Sequence, residues 1–438
     1  MTESIRPRDR DAVIQALRAG VVPRTGLRLI QVGRAREVEE LLRDVERIAD
    51  GGSCIRFIIG QYGSGKTFFL NLVRSIGLEK KLVTLQADLT PDRRLQASGG
   101  QARSLYAELT RNISTRSKPD GGAMANIVER FVSEALRKAR EKNTAAEDVI
   151  HESLKDLSEM TGGYDFAAVI AAYWRGHDTG NEQLMSDAVR WLRGEFSTRT
   201  DARNALGVRT IVDDASVYDF LKLLARFVRH AGFSGMLVIL DELVNLYKMA
   251  NTQARNGNYE QILRILNDSL QGVSVGLGFL FGGTPEFFMD TRRGLYSYPA
   301  LQSRLAENTF ATQGLVDYSG PVVRLSSLSQ EDLYVLLKNL RHVFAAGEPA
   351  KYLLPDDGLT AFMGHCSQRI GEAYFRTPRT TITSFINLLS VLDQNPGAAW
   401  RDLLDGVQVA KDEGPDTNDI VDAAVDATGG DDLASLRL

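Results

Sequence analysis

Residues 60 to 67, Gly60-Gln61-Tyr62-Gly63-Ser64-Gly65-Lys66-Thr67, decide which fold this sequence is expected to adopt. The segment follows a short apolar run, Cys54 to Ile59, and precedes a helical pattern from Phe68 to Ile76. The three glycines let backbone N–H groups turn inward around an anion, and the following helix directs its positive N-terminal end at the same group. A strand, a glycine-rich loop and a helix in this order predict a phosphate-binding loop.

The side chains of this loop predict how a nucleotide is bound. The segment matches Gly-x-x-x-x-Gly-Lys-Thr, the Walker A pattern, in full. In that pattern the lysine reaches the β- and γ-phosphates of ATP, and the threonine hydroxyl joins the shell of the Mg²⁺ ion. We therefore expect ATP and Mg²⁺ as cofactors, with Lys66 in a catalytic role and Thr67 as a metal ligand. The expected nucleotide-binding residues of this segment are Gly60, Gln61, Tyr62, Gly63, Ser64, Gly65, Lys66, Thr67 and Phe68.

A second motif predicts the hydrolytic carboxylates. Met236 to Leu240 is an apolar run that ends in Asp241 and Glu242, a match to Walker B. Asp241 is expected to hold Mg²⁺, and Glu242 is expected to polarise the attacking water; the alternative is a core strand with two solvated acids at its end. A further strand, Leu82 to Ala87, separates the two motifs. This arrangement favours the ATPase branch that uses a catalytic glutamate over the simpler kinase or GTPase arrangement.

Three later positions are candidates for sensing the γ-phosphate. Thr284 follows the predicted strand Val275 to Phe281 and either orients the attacking water or only forms a turn. Arg304 is expected to reach the nucleotide of a neighbouring subunit. Arg292 and Arg293 compete for that role, and a plain surface arginine is the alternative for Arg304.

The third candidate, Arg379, begins a late helix that runs from about Pro378 to Leu392. We expect it to point back at the γ-phosphate; otherwise it only starts the helix. The helix dipole disfavours a cation at this end, which favours a functional reason for the arginine.

Periodicity and composition divide the chain into four parts. We expect an N-terminal helix in residues 1–24, an ATPase core in 25–325 with a helical insertion at 89–233, a helical lid at 326–410 and an acidic disordered tail at 411–438. The tail has eight acids and one base from residue 412 onward, so the remainder of the chain is mildly basic although the net charge is −4. It is either a solubilising end or a docking segment for a partner.

Composition excludes several classes of protein. With 438 residues, 43% hydrophobic and 25% charged, the chain is neither collagen-like nor a disulfide scaffold. Its two cysteines, Cys54 and Cys366, form no Cys-x-x-Cys pair, and its five histidines show no metal-ligand spacing. The N-terminus has no secretory signal pattern, and the longest apolar run, Phe166 to Trp174, is much shorter than the roughly 20 residues of a membrane span. These features predict a cytoplasmic protein.

Taken together, the motifs resemble the AAA+ family, on its origin-recognition side. Val32-Gly33-Arg34 before an acidic helix looks like the segment that packs on adenine in that family, which implies nucleotide-binding roles for Gly33 and Arg34. Leu325 to Leu333 looks like the start of a helical lid. The resemblance implies an α/β P-loop NTPase of the ASCE/AAA+ type, with a large helical insertion and a C-terminal helical lid.

The chain looks still more like the BrxC/BrxD ATPases of bacteriophage-exclusion (BREX) loci, of the compact BrxD type. The likeness implies a cytoplasmic ATPase that serves antiphage defence with other proteins of its system. Together with the motifs, it leads us to expect a Mg²⁺-dependent enzyme that binds no membrane and forms a homo-oligomer with ATP at subunit interfaces. We expect this enzyme to couple turnover to remodelling of DNA or a partner protein. The alternatives are a slow nucleotide-dependent switch or scaffold, and a DNA-binding ATPase like the replication initiators; the absence of a winged-helix pattern after the lid disfavours the latter. The likeness rests on Gly60 to Leu70, the helical insertion, Phe281-Gly282-Gly283-Thr284-Pro285 and Arg376-Thr377-Pro378-Arg379.

Overall fold

A parallel β-sheet is the centre of the fold. The computed structural model describes residues 5–310, 317–404, 406 and 409. Within them, five strands form one sheet in the order β2-β3-β4-β1-β5, and each neighbouring pair is parallel. The predicted α/β class is confirmed, and the architecture is consistent with a P-loop NTPase. The strands are β1 Cys54–Ile59, β2 Leu82–Asp88, β3 Gly235–Asp241, β4 Leu277–Gly283 and β5 Val322–Arg324.

Helices cover both faces of the sheet. Alternate residues of β1 point to opposite sides, so that Phe57 joins one apolar cluster and Ile58 joins another. A strand that is buried on both faces has an almost continuously apolar sequence. Short apolar runs bounded by glycines therefore predicted these strands. In chain order the α-helices are α1 Pro7–Arg18, α2 Ala35–Ala49, α3 Lys66–Glu79, α4 Gln101–Arg111, α5 Met124–Lys142, α6 Ala146–Ser153, α7 Lys155–Ser158, α8 Gly163–Thr179, α9 Glu182–Leu192, α10 Arg199–Leu206, α11 Val217–His230, α12 Val244–Tyr247, α13 Thr252–Leu270, α14 Pro285–Met289, α15 Pro299–Arg304, α16 Gln330–Phe344, α17 Asp356–Ile370, α18 Ala373–Arg376, α19 Arg379–Gln394 and α20 Trp400–Leu404, with short 3₁₀ helices at Leu27–Leu29, Leu295–Ser297 and Pro349–Lys351.

The predicted strands match the observed ones closely, with one shift of two residues. The prediction started β4 at Val275, but the strand begins at Leu277. Gly276 has φ +65° and its N–H donates to the carbonyls of Gly51 and Gly52, so the chain turns there before it becomes extended. In the sheet, the strand between β1 and β3 is β4, whereas β2, which separates the two motifs in the sequence, lies at the edge.

Eight helices, α4 to α11, lie between β2 and β3 in the sequence, within the predicted insertion. Their buried side chains share one apolar cluster with the strand residues of the sheet face that they cover, and Trp191 and Phe166 pack edge to face inside it. The insertion also covers the edge of β2 that does not pair with β3. Ser114 and Thr84 exchange two backbone hydrogen bonds, of 2.8 and 3.0 Å, at that edge. A covered edge cannot pair with another chain.

The C-terminal helices form a separate apolar cluster that includes the N-terminal helix. Side chains of α1, such as Val13, pack against α16 and α19 rather than against the sheet. The first turn of α16 has a capping box: Ser329 Oγ accepts from the Asp332 N–H, and the Asp332 carboxylate accepts from the Ser329 N–H. The predicted acidic tail, 411–438, lies outside the described residues. Among those that are described, no helix is both long and apolar enough to cross a membrane.

A buried ion pair ties α2 to β1 just before the phosphate-binding loop. Arg56 is 4% exposed, and its Nε donates to Asp44 Oδ2 at 2.6 Å. The same guanidinium donates to the carbonyl oxygens of Tyr318 and Gly320, which precede β5. Since a buried charge without partners is costly, these contacts fix α2, β1 and the segment before β5 in one arrangement.

Candidate nucleotide-binding site

The glycine-rich loop has the backbone shape that phosphate binding requires. It leaves β1 at Ile59 and enters α3 at Lys66, with Gly63 at φ +74° and Gly65 at φ +81°. Both glycines therefore adopt the left-handed conformation that other residues rarely reach. A Cβ atom on Gly63 would lie 2.9 Å from Cγ2 of Thr377 in the C-terminal helices. The loop thus presents backbone N–H groups at the N-terminus of α3, and it does so against the C-terminal helices.

Two side chains of the loop are suited to an anion. The Ser64 hydroxyl is buried and has no hydrogen-bond partner among the residues that the structure describes. Lys66 Nζ donates to the carbonyls of Gly60 and Gln61, at 2.8 and 3.0 Å. Burial lowers the pKa of Lys66, and the nearby carboxylates, Asp241 among them, oppose that shift. A partly desolvated ammonium and an unpartnered hydroxyl fit the phosphate groups of a nucleotide.

The Walker A threonine and the Walker B aspartate are in direct contact. Thr67 Oγ1 donates to Asp241 Oδ2 at 2.8 Å, and the other carboxylate oxygen of Asp241 accepts from the Glu242 N–H at 2.9 Å. Asp241 is 3% exposed, so its carboxylate is largely shielded from bulk water. A hydroxyl and one carboxylate fit Mg²⁺, which binds few protein ligands and keeps waters and phosphate oxygens. In the part of the chain that the structure describes, no cluster of three or more His, Cys, Asp or Glu offers a different metal site.

Gly282 makes room for the Asp241 carboxylate. A Cβ atom at this position of β4 would lie 2.2 Å from Asp241 Oδ1 and 2.9 Å from Cδ1 of Leu70. Gly282 lies on the strand next to β3, and its carbonyl accepts from the N–H of Leu243. The sequence block Phe281-Gly282-Gly283 therefore contributes space to the site as well as a strand.

Glu242 lies beside Asp241 in a strained backbone conformation. Its φ is +59°, the left-handed region that a glutamate rarely occupies. Burial raises the pKa of the Glu242 carboxyl, and the negative charges of Asp241 and Asp88 raise it further. Strain of this kind costs on the order of 1–3 kcal/mol and persists where the surrounding structure imposes it, often at functional sites.

Asp88 is a residue of this site that the sequence analysis did not single out. It ends β2 and pairs in register with Asp241 at the end of β3. Burial raises the pKa of Asp88, and the neighbouring Asp241 adds to that rise. The signal was present, because Asp88 directly follows the predicted strand Leu82 to Ala87 and the carboxyl ends of parallel strands meet at one edge. The neighbour relation between β2 and β3, however, was not predicted.

These residues line one open cleft of about 940 Å³. Four parts of the chain contribute to its lining: the sheet with its loops, the segment around residues 17–34, the insertion and the C-terminal helices. The apolar part of the lining includes Val22, Ile30, Val32, Leu336 and Ile382. The polar part includes Lys66, Thr67, Asp88, Asp241 and Glu242. A lining with both apolar and charged side chains suits the base and the phosphates of a nucleotide.

Arg34 and Gly33 lie where the phosphate-binding loop meets the C-terminal helices. The Arg34 guanidinium donates to the carbonyls of Ser64 in the loop and of Ser326 after β5. Burial lowers the pKa of Arg34. A Cβ atom on Gly33 would lie 3.1 Å from a carboxylate oxygen of Asp332 in α16. The Val32-Gly33-Arg34 segment therefore joins the phosphate-binding loop to the start of the C-terminal helices.

Arg379 also reaches the loop, from the C-terminal side. Its guanidinium lines the cleft, and its Nη1 donates to the hydroxyl of Tyr62 at 3.3 Å. Gly20 lies close to the same side chain, since a Cβ there would be 3.1 Å from Nε of Arg379. Of the three candidate γ-phosphate sensors, Arg379 is the one that the structure brings to the cleft.

The other two candidates have partners elsewhere in the same chain. The Thr284 hydroxyl caps α14 by accepting from the Phe287 N–H at 3.4 Å. Arg304 is exposed on α15 and donates to Asn267 Oδ1 at 2.8 Å. Neither is among the residues that line the cleft in the described ranges, and their functional roles remain predictions.

The two competitors for the role of Arg304 also lie outside the cleft lining. Arg293 is turned inward, with Nη2 donating to the Met249 carbonyl at 3.1 Å and its guanidinium over the ring of Tyr247. Arg292 is exposed, and its backbone N–H donates to Asp290.

Replacing Gly282 by alanine tests how tightly the Asp241 carboxylate is packed. We expect Gly282→Ala to displace Asp241, to lower the free energy of unfolding by about 1–3 kcal/mol, the usual cost of overpacking, and to weaken nucleotide binding more in the presence of Mg²⁺ than without it. Chemical denaturation and titration with a fluorescent nucleotide measure the two effects. Gly364→Ala on α17, where no atom lies within 4 Å of the new Cβ, is the matched control. If Mg²⁺ changed the nucleotide affinity of Gly282→Ala as much as that of the wild type, the position of the Asp241 carboxylate would not be critical.

Comparison with known proteins agrees with the geometry. A search of curated proteins finds no match to this chain. The family model described as "BREX system ATP-binding protein BrxC/D" matches residues 5–408, which is nearly the whole chain. The match covers the phosphate-binding loop, the insertion and the C-terminal helices. The chain therefore belongs to the BrxC/D family of ATP-binding proteins of the BREX system.

Proposed function

We propose that this protein is a Mg²⁺-dependent AAA+ ATPase that couples ATP hydrolysis to the remodelling of DNA or of a partner protein in BREX defence. One observation carries the proposal: Thr67 Oγ1 and Asp241 Oδ2 are 2.8 Å apart in the cleft that also contains Lys66 and Glu242. The groups needed to bind a phosphate chain, to hold a divalent cation and to accept a proton thus occur together. Membership of an ATP-binding family supports the first of these functions.

Binding is assigned to the loop and its helix. The backbone N–H groups from Gly60 to Thr67 and the N-terminus of α3 hold the phosphates, and Lys66 places its ammonium on the β- and γ-phosphates. Thr67 and Asp241 hold Mg²⁺, which neutralises charge on the phosphate oxygens. The apolar side chains of the cleft lining receive the base, with Gly33 and Arg34 beside it.

Hydrolysis is assigned to Glu242. Its carboxylate accepts a proton from a water molecule as the water oxygen bonds to the γ-phosphorus and the bond to the β–γ bridging oxygen breaks. The hydrogen bond from the Glu242 N–H to Asp241 fixes the start of this side chain relative to the metal-site carboxylate. Thr284 is proposed to orient the same water after a change at α14, and Arg379 to approach the γ-phosphate with the C-terminal helices.

The AAA+ assignment is supported by the strand order and by the place of the C-terminal helices. A sheet ordered β2-β3-β4-β1-β5 puts β4 between the Walker A and Walker B strands. Helices α16 and α19 reach the cleft through Leu336 and Arg379, which is where a lid would lie. We therefore propose a core at 25–325 with its insertion at 89–233, and a lid that follows from residue 326. The packing of α1 on α16 and α19 suggests that the N-terminal helix moves with that lid.

A slow nucleotide-dependent switch is the second candidate function. The observation that favours it is that Thr284 and Arg304 are both engaged with other parts of their own chain. An isolated subunit would then bind ATP but hydrolyse it slowly until assembly or a partner rearranges these residues. ATPase activity and molecular mass, each measured with and without DNA and ATP, separate the two functions.

Two substitutions test the assignment of binding and chemistry. Lys66→Ala should abolish ATP binding, because the cation on the β- and γ-phosphates is lost. Glu242→Gln should keep ATP binding and lower the hydrolysis rate by about 10²–10⁴, the usual contribution of a general base. Equilibrium titration and phosphate release measure the two effects, and removal of Mg²⁺ by a chelator should suppress release in the wild type. Near-wild-type ATP affinity in Lys66→Ala, or unchanged turnover in Glu242→Gln, would refute the respective role.

The pH dependence of hydrolysis tests the coupling between Glu242 and Asp88. The base must be ionised, and its pKa is raised, so activity should be lost on acidification at a pH above the ordinary carboxyl value of about 4.3. Asp88→Asn removes one negative neighbour, so the acid limb of the kcat profile should move to lower pH. Asp92→Asn removes an exposed carboxylate in the loop that follows β2; it is the control and should leave the limb in place. An acid limb that does not move in Asp88→Asn would exclude this coupling.

Mixed oligomers test whether Arg304 acts on a neighbouring subunit. Arg304→Ala and Glu242→Gln each lack a different part of a shared site, so mixing the two variants should restore some activity at interfaces that pair an intact Glu242 with an intact Arg304. Arg304→Ala alone should bind ATP almost normally. A protein that stays monomeric at every ATP concentration, with normal hydrolysis by Arg304→Ala, would return Arg304 to the role of a surface residue.

A further inference from the structure

The loop that follows β2 is fixed to the Walker B segment. The Leu89 N–H donates to the Asp241 carbonyl at 3.0 Å, and the side-chain amide of Asn245 donates to the Leu89 carbonyl at 2.8 Å. Asp241 ends β3, and Asn245 lies in α12 just after it. The start of this loop therefore keeps its position relative to the catalytic carboxylates.

A tight turn then brings Arg93 back to the cleft. Thr90 and Arg93 exchange two backbone hydrogen bonds of 3.1 Å, so the chain reverses within four residues. The Arg93 side chain lines the cleft together with Lys66 and Glu242. Its positive charge lowers the pKa of Asp88 against the larger effect of burial, which places the guanidinium within electrostatic reach of the carboxylates.

The present partner of Arg93 holds it only loosely. The nearest carboxylate, Glu108 of α4, is 3.6 Å from Arg93 Nη2, and the Arg93 side chain is 36% exposed. Glu108 is closer to Arg111, at 3.0 Å. Exposed ion pairs of this length contribute little to stability, so Arg93 can leave Glu108 at small cost. A guanidinium anchored by its backbone and weakly held by its side chain is free to turn to an anion in the cleft.

We propose that Arg93 is a further catalytic residue, which binds the terminal phosphate of the nucleotide from within the same chain and stabilises the charge on the transferring phosphoryl group. The proposal rests on the proposed ATPase function. It differs from the role of Arg304, because Arg93 belongs to the subunit that supplies Lys66, Thr67 and Glu242. The planar guanidinium suits the task, since its paired N–H donors match phosphate oxygens.

The test compares Arg93→Ala with Arg111→Ala, which also removes an arginine that pairs with Glu108 but does not line the cleft. An arginine acting in the transition state typically contributes on the order of 10³ in rate, so Arg93→Ala should lower kcat by about that factor with near-normal ADP affinity. Binding of ADP with aluminium fluoride, a mimic of the transferring group, should be lost in Arg93→Ala and retained in Arg111→Ala. Arg93→Lys should restore part of both, because it returns the charge without the fork geometry.

A mixing experiment separates action within the chain from action between chains. Arg93→Ala mixed with Glu242→Gln should regain no activity, because each site then lacks one of two groups that must come from one subunit. Recovery in that mixture, or unchanged kcat and analogue binding in Arg93→Ala, would overturn the proposal. If the wild type binds the analogue but does not hydrolyse ATP, the ATPase function fails, and analogue binding by Arg93→Ala still decides the role of Arg93. A wild type that does neither contradicts both proposals.

Discussion

The hydrogen bond between Thr67 and Asp241 is the interaction on which the rest of the site depends. It joins the first turn of α3 to the end of β3, and these elements are far apart in the sequence. For it to form, β4 must lie between β1 and β3, and Gly282 must leave space for the carboxylate. The buried pair Arg56–Asp44 holds β1 and α2 in place behind the loop. The 2.8 Å hydrogen bond between Thr67 and Asp241 therefore forms only when β1, β3, β4, α2 and α3 are correctly assembled.

The cleft is built by parts of the chain that lie far apart in the sequence. Thr377 approaches Gly63, Asp332 approaches Gly33, and Arg34 bridges the loop to the carbonyl of Ser326. Each contact links the phosphate-binding loop to the C-terminal helices. Because these contacts surround the same cleft, a ligand bound there would touch the sheet, the N-terminal segment and the C-terminal helices at once. Nucleotide binding can therefore alter how these parts pack, as the proposed remodelling function requires.

Sequence reasoning succeeded where the signal was local and failed where it depended on register. The strand Cys54–Ile59 was predicted to the residue, because a buried parallel strand is an apolar run bounded by glycines. The β4 strand was placed two residues early, because the turn at Gly276 comes from bonds to Gly51 and Gly52 that no local pattern reveals. Asp88 and Arg93 were not recognised as site residues for a related reason. Their importance follows from the pairing of β2 with β3, and on the order of 150 residues separate these strands.

That separation has a consequence for how the chain folds. During synthesis, β2 leaves the ribosome long before its partner β3, and at 5–20 residues per second the delay is roughly 7–30 s. Until β3 arrives, β2 has one open side, and the other is protected only once Ser114 and Thr84 have paired. Non-local pairing of this kind is slow, and an unpaired strand invites association with other chains. Because the contact between Thr84 and Ser114 involves only residues that are synthesised before β3, it can cover one side of β2 before the sheet is complete.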